Sequence, residues 1–227
     1  MLALLGCSQA PRLSPTDTGK AAGFGSVYTE LARKGETVFS IDPKSSSVRI
    51  YVFRAGRAAK LGHNHVVTAP RFAGYAHLPR DGVADARFDL EFRLDQLEFD
   101  EPALRALLGS AFATSLSPEA IAATREHMLS EANMQASRFP IATIHALEVA
   151  GELPKLAARV LIDMHGRQRE QWVPLSVEGL PDRLAVAGSL VLKQTDFGIQ
   201  PYSALGGLLA VKDEVVVEFH LVGHVVR

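Results

Sequence analysis

Beyond residue 36, apolar and polar positions alternate with period two through most of the chain. Phe88, Leu90, Phe92 and Leu94 interleave with Asp89, Glu91, Arg93 and Asp95. A strand of this kind has one greasy and one wet face, which is antiparallel-sheet behaviour rather than that of a strand buried on both sides. The same reading places strands at 37–41, 47–54, 72–78, 88–95, 141–149, 156–165, 168–177, 184–193 and 214–225. In the second of these, Val48, Ile50 and Val52 share one face, and Arg49, Tyr51 and Phe53 the other. Turn residues punctuate the pattern at Asp42-Pro43, at Pro79-Arg80-Asp81-Gly82 and at Met164-His165-Gly166-Arg167.

The period changes in the middle. Pro102 opens a short helix running to Leu108. Ser117-Pro118-Glu119 starts a second, with Ser117 as N-cap, that runs to about Ala132. Pro201 to Leu209 reads as a third, a capping helix with Leu205, Leu208 and Leu209 turned inward. Asp196-Phe197-Gly198 before it reads as a turn whose glycine allows an unusual φ and whose Phe197 plugs one end of the sheet. About nine or ten strands without βαβ alternation point to an all-β fold. A closed antiparallel barrel removes the exposed edges of so many amphipathic strands; a two-sheet sandwich is the other solution to the same pattern.

Charge and length narrow the function. The chain has 227 residues, with 24 basic against 25 acidic and a net charge of -1. No basic field is available to hold a nucleic-acid backbone, and no run approaches the roughly 20 apolar residues of a membrane helix. The single cysteine, Cys7, excludes an internal disulfide. Leu4-Leu5-Gly6-Cys7 looks like a bacterial lipobox at the end of a truncated signal, residues 1–7, which makes Cys7 a lipidation site and the one route to a membrane. Residues 8–35 are rich in Pro, Ser, Thr, Gly and Ala and read as a flexible lead-in, with helical character near 27–34. The folded domain spans 36–227.

Candidate chemistry is sparse. His63 and His65, in Gly62-His63-Asn64-His65, fall on one face if extended, at chelating distance. They serve either as polar contacts at a pocket mouth or, alternatively, as the start of a metal site in a metal-binding protein or metal-dependent enzyme. Asp95 and Asp100-Glu101 read as solvated turn residues, and His77, His127, His220 and His224 as surface or rim residues. P-loop, Gly-x-Ser-x-Gly and His-Glu-x-x-His patterns are absent from the sequence.

Four segments in order carry a resemblance: Ser47-Val48-Arg49-Ile50-Tyr51-Val52, the stretch from His127-Met128-Leu129 to Phe139-Pro140, the central hairpin of 156–177, and Lys193 to Ile199. Together they resemble the YceI-like family. The resemblance implies a lipocalin-like antiparallel β-barrel with two or three short helices, secreted or periplasmic in the bacterial envelope, holding an isoprenoid-like or other long apolar molecule. It implies a carrier rather than an enzyme, with no cofactor beyond the bound lipid. The inward-alternating residues Val48, Ile50, Val52, Phe88, Phe92, Ile144, Ile162, Leu190, Leu192, Val217 and Phe219 are the candidate lining of its cavity.

Overall fold

Tight turns set the strand order. His165 and Gly166 take φ of 56° and 70°, the two left-handed residues that a two-residue hairpin requires. They join β8 (Lys155–Met164) to β9 (Arg167–Glu178), which pair from Lys155↔Ser176 to Met164↔Arg167. The computed structural model describes residues 23–226. Helix α1 (Gly25–Arg33) precedes β1 (Val38–Ile41), β2 (Ser47–Ala55), β3 (His65–Thr68), β4 (Phe72–His77), β5 (Arg87–Arg93) and the two-residue β6 (Glu98–Phe99). Helices α2 (Pro102–Leu107) and α3 (Pro118–Leu129) follow, then β7 (Ile141–Glu152), and after the β8–β9 hairpin β10 (Arg183–Lys193), β11 (Ser203–Ala204) and β12 (Leu209–Val225).

All pairings are antiparallel, in the order β1-β4-β5-β7-β8-β9-β10-β12, and β12 returns to β1 through Phe39↔Val225 and Ile41↔Gly223. That return closes an eight-stranded barrel and removes the sandwich alternative. The 17-residue β12 is long enough to pair with β2 as well, which carries β3 and β6 beside the closing seam. One end of the barrel, the mouth, bears the connections at 78–86, 153–154 and 179–182. The other, the floor, bears α3 and residues 194–208.

One local reading needs correction. Pro201 to Leu209 is not a helix: Leu205, Gly206 and Gly207 take φ of 52°, 66° and 87°, and left-handed residues in succession cannot continue a right-handed helix. Leu205 is consequently 71% exposed rather than turned inward. The helix expected near 27–34 is α1, which docks on the barrel. Tyr28 is buried, its hydroxyl donates to Asp89 Oδ2 at 2.6 Å, and its ring stacks on Tyr75. The outer face of β2 is covered: Tyr51 packs with Val66, Leu104 and Phe112 beneath α2. Strands β3 and β6 were too short for alternation to reveal. The lipobox and Cys7 lie outside the described residues.

Phe197 is buried as expected, with Gly198 at φ 73° ending its turn. With Ile199 it joins the inner core, against which Met128, Leu129 and Met134 also pack, and so helps seal the floor.

Candidate functional site: an apolar cavity and a polar cleft

Inside the barrel, directly paired residues on one sheet face combine into a continuous apolar wall. Val48 faces Phe219, Leu190 faces Val217, and Leu90 faces Ile144. Phe219 lies opposite Gly188, where a Cβ would come within 2.6 Å of its ring, so the glycine makes room for the aromatic side chain. These walls surround a cavity of about 130 Å³. Leu156, Val160, Val173, Val177 and Leu184 complete the interior, and Leu78, Ala86 and the half-exposed Leu153 mark its mouth. Polar side chains turn away from it. Tyr75 stacks on Tyr28 outside the barrel, and His77 places Nε2 3.2 Å from Glu36 Oε2. His77 is therefore buried under the segment before β1, not a surface residue.

Of the expected lining residues, Val48, Phe88, Phe92, Ile144, Leu190, Val217 and Phe219 border this cavity. Ile50, Ile162 and Leu192 belong to the same interior cluster but pack as core outside the cavity wall. Val52 lines a different space at the floor. Alternation assigns a face; it does not assign depth along the barrel axis. Val160, Val173 and Val177 carried the same alternation signal and were missed as lining.

His63 and His65 lie at the floor, away from the mouth of the apolar cavity, with ring centroids 5.6 Å apart. His65 Nδ1 is 2.6 Å from Asp100 Oδ2. Asp100 is a fully buried residue held at φ 51°, not a solvated turn residue. Its Oδ1 accepts from Val66 N at 3.0 Å and from Arg105 Nη1 at 2.5 Å. Arg105 also donates to the carbonyls of Asn64 (2.7 Å) and Thr114 (3.1 Å). Burial works against ionisation of Asp100, but the hydrogen bonds and charges of His65, Val66 and Arg105 outweigh it and hold the carboxyl below its ordinary value. Burial first, and then the neighbouring His65, lowers the His63 imidazole. Among the described residues no group of three or more His, Cys, Asp or Glu side chains could hold a metal ion, so the His63–His65 pair gains no further ligand of these types. His65 instead borders a second cleft, of about 380 Å³, walled by β2, α3 and the segment around β11.

The profile of the YceI-like domain matches residues 39–223. No curated protein matches the sequence. Solved structures share the fold. BcnA of Burkholderia cenocepacia superposes with a TM-score of 0.58 at 14% identity, covering 80% of this chain and 98% of that one. A polyisoprenoid binding domain from Saccharophagus degradans, implicated in plant cell wall breakdown, gives 0.52 at 14% identity, covering 83% and 98%. The YceI protein of Campylobacter jejuni gives 0.51 at 8% identity, covering 71% and 84%.

Proposed function

Because this chain belongs to the YceI-like family, we propose that it is a non-catalytic carrier that holds an isoprenoid-like chain in its barrel. The observation that supports this most directly is the apolar cavity bordered by Val48, Phe88, Val173, Leu190 and Phe219, from which polar side chains turn away. Burial of apolar surface is then the driving force. One isoprene unit contributes roughly 4 kcal/mol gross at about 0.8 kcal/mol per carbon, and association takes back several kcal/mol. A single unit therefore binds weakly, and a longer chain gains what its second unit buries against the apolar mouth. An internal space near 130 Å³ matches a small ring or about one such unit, since an engineered apolar cavity of about 150 Å³ admits benzene. The rest of a longer chain passes out beside Leu153. Its neighbour in Saccharophagus degradans, described as a polyisoprenoid binding domain, supports the same ligand class.

In this reading the protein works in the bacterial envelope, anchored through a lipidated Cys7, and Cys7→Ser shifts it from the membrane to the soluble fraction. The carrier role is tested by native mass spectrometry of the protein from its natural compartment and by titration with farnesol. Val173→Trp fills the cavity and should abolish farnesol uptake while circular dichroism stays unchanged. A correctly folded Val173→Trp protein that takes up farnesol as well as wild type overturns the proposal.

A further inference from the structure

Two loops meet outside the barrel at its floor end. Residues 56–62 join β2 to β3, and residues 205–208 form the turn between β11 and β12. Ala58 N donates to Leu208 O at 2.9 Å, and at Gly56 a Cβ would come within 2.4 Å of the same oxygen, so the two loops close on each other. Three leucines stand on them: Leu61 is 77% exposed, Leu205 71% and Leu208 43%. Leu205 costs the free protein twice. Its backbone is held at φ 52°, which a bulky residue avoids, and its side chain stays in water. It joins neither apolar cluster of the core. A strained, wet leucine that adds nothing to the core points to a use outside the fold.

The charges on these loops have one sign. Residues 54–64 hold Arg54, Arg57 and Lys60 and no carboxylate, and residues 199–211 hold no charged side chain. Arg57 and Lys60 are exposed and form no ion pair among the described residues. Arg54 Nη1 donates to Gly62 O at 2.7 Å and stays beside the loop. Asp213, the first carboxylate after this span, is turned to Thr195, accepting from its N at 2.8 Å and its Oγ1 at 2.6 Å. Helix α3, which meets Tyr202 through His127, carries Glu119 and Glu126 and bounds the surface on that side. The mouth is the reverse: its connections at 78–86, 153–154 and 179–182 hold Asp81, Asp85 and Asp182 against Arg80 alone. With a net charge of -1 the protein as a whole has no pull toward an anionic surface, so the pull of these loops is local and directional.

We propose that the two loops form a docking surface for an anionic lipid bilayer, with Leu61, Leu205 and Leu208 entering the headgroup region and Arg57 and Lys60 resting on the lipid phosphates. Exposed apolar side chains flanked by cations are the chemistry that an anionic interface favours. A polar acidic surface would pair the cations and leave the leucines in water. The acidic mouth then faces away from the membrane. The contact is weak and reversible, since each cation near the surface strengthens partitioning only about fivefold; it supplements a lipid anchor and does not replace one. It lies outside the barrel cavity, so it and the carrier reading stand or fall separately.

The test uses the full chain carrying Cys7→Ser, which has no acyl anchor, and sediments it with vesicles of phosphatidylglycerol mixed into phosphatidylcholine or of phosphatidylcholine alone. Binding should require the anionic lipid and fall as salt is raised. Arg57→Gln and Lys60→Gln should each weaken it about fivefold. Leu205→Gly should weaken it about tenfold while raising the urea midpoint, because glycine relieves the left-handed backbone. A leucine that served the fold would lose both. Hydrogen exchange on the vesicles should slow at 56–62 and 203–209 and stay unchanged at 78–86 and 179–182. The proposal is overturned if phosphatidylcholine alone binds equally well, if the mixed vesicles leave the protein in solution at low salt, if Leu205→Gly binds undiminished, or if protection falls on the mouth. Self-association that Leu205→Gly abolishes, with no vesicle binding, would assign the leucines to a second copy of the chain instead.

Discussion

Single residues carry two large energetic commitments. Arg105 and Asp100 form a buried ion pair, and removing one partner leaves the other charged and without its counter-charge. Arg105→Met should therefore cost about 3–5 kcal/mol in chemical denaturation. The depressed Asp100 carboxyl also sets a pH dependence. Its folded-state value lies below that of the unfolded chain, so the unfolded state binds the proton more readily. The stabilisation is complete above the ordinary aspartate value of roughly 3.9 and is lost as pH falls below it. The double variant Asp100→Asn/Arg105→Met should show a shallower loss of stability over that acid range than wild type, measured by urea midpoints. Gly188 is the second commitment. An added Cβ meets Phe219 Cζ at 2.6 Å and the backbone oxygen of Pro174 at 2.7 Å. The ring can move but the carbonyl cannot, so Gly188→Ala should destabilise by about 1–3 kcal/mol.

At the scale of elements, α1 illustrates how one tyrosine recruits a helix. Its sequence is only weakly apolar, yet Tyr28 is buried, stacked on Tyr75, edge-on to Phe24 and hydrogen-bonded to Asp89. Asp89 is shared with His145 Nδ1. Burial, and then the bond to Asp89, pushes the Tyr28 phenol up, so it stays protonated as the donor across ordinary pH. Tyr28→Phe keeps the stack and loses the hydrogen bond to a charged acceptor, and should cost about 1.5–3 kcal/mol. Amide hydrogen exchange in 25–33 should accelerate much more than in β7–β9. The same scale explains what sequence reading missed. Strand β3 has four residues and β6 two, shorter than any window in which period two stands out. The cover over Tyr51, Leu104 and Phe112, lies more than 50 positions away in the chain and meets it only after β6 and α2 fold back.

The whole molecule holds an apolar cavity toward its mouth and a separate, more open cleft at its floor. Chain-length dependence should report this division. Affinity for prenyl alcohols should rise steeply from five to ten carbons and flatten beyond, because later units leave by the mouth instead of filling the barrel; calorimetry across the series checks it. A steady gain per unit up to long chains would mean that the core around Ile50, Leu192 and Phe197 yields to the guest. The sole tryptophan, Trp172, is half exposed on the outside of β9 while its neighbour Val173 points inward. Its emission should therefore stay nearly constant as the cavity fills.

Read alone, the sequence determined the class of the fold and the inner face of nearly every long strand, because alternation is a local property and each strand carries it independently. It determined the α3 cap at Ser117 and the hairpin at His165-Gly166 for the same reason, since caps and turns are written in adjacent residues. Tertiary structure alone decided three things. It closed the barrel through β1 and β12, pairing residues at opposite ends of the domain. It sorted inward residues by depth, so that Val48 borders the cavity, Ile50 is packed core and Val52 faces the floor cleft. And it brought Asp100 and Arg105 behind His65, so that one histidine of a His-x-His pattern is held by a buried ion pair. Each of these depends on register between distant segments, and register is settled by the sum of all pairings rather than by any one of them.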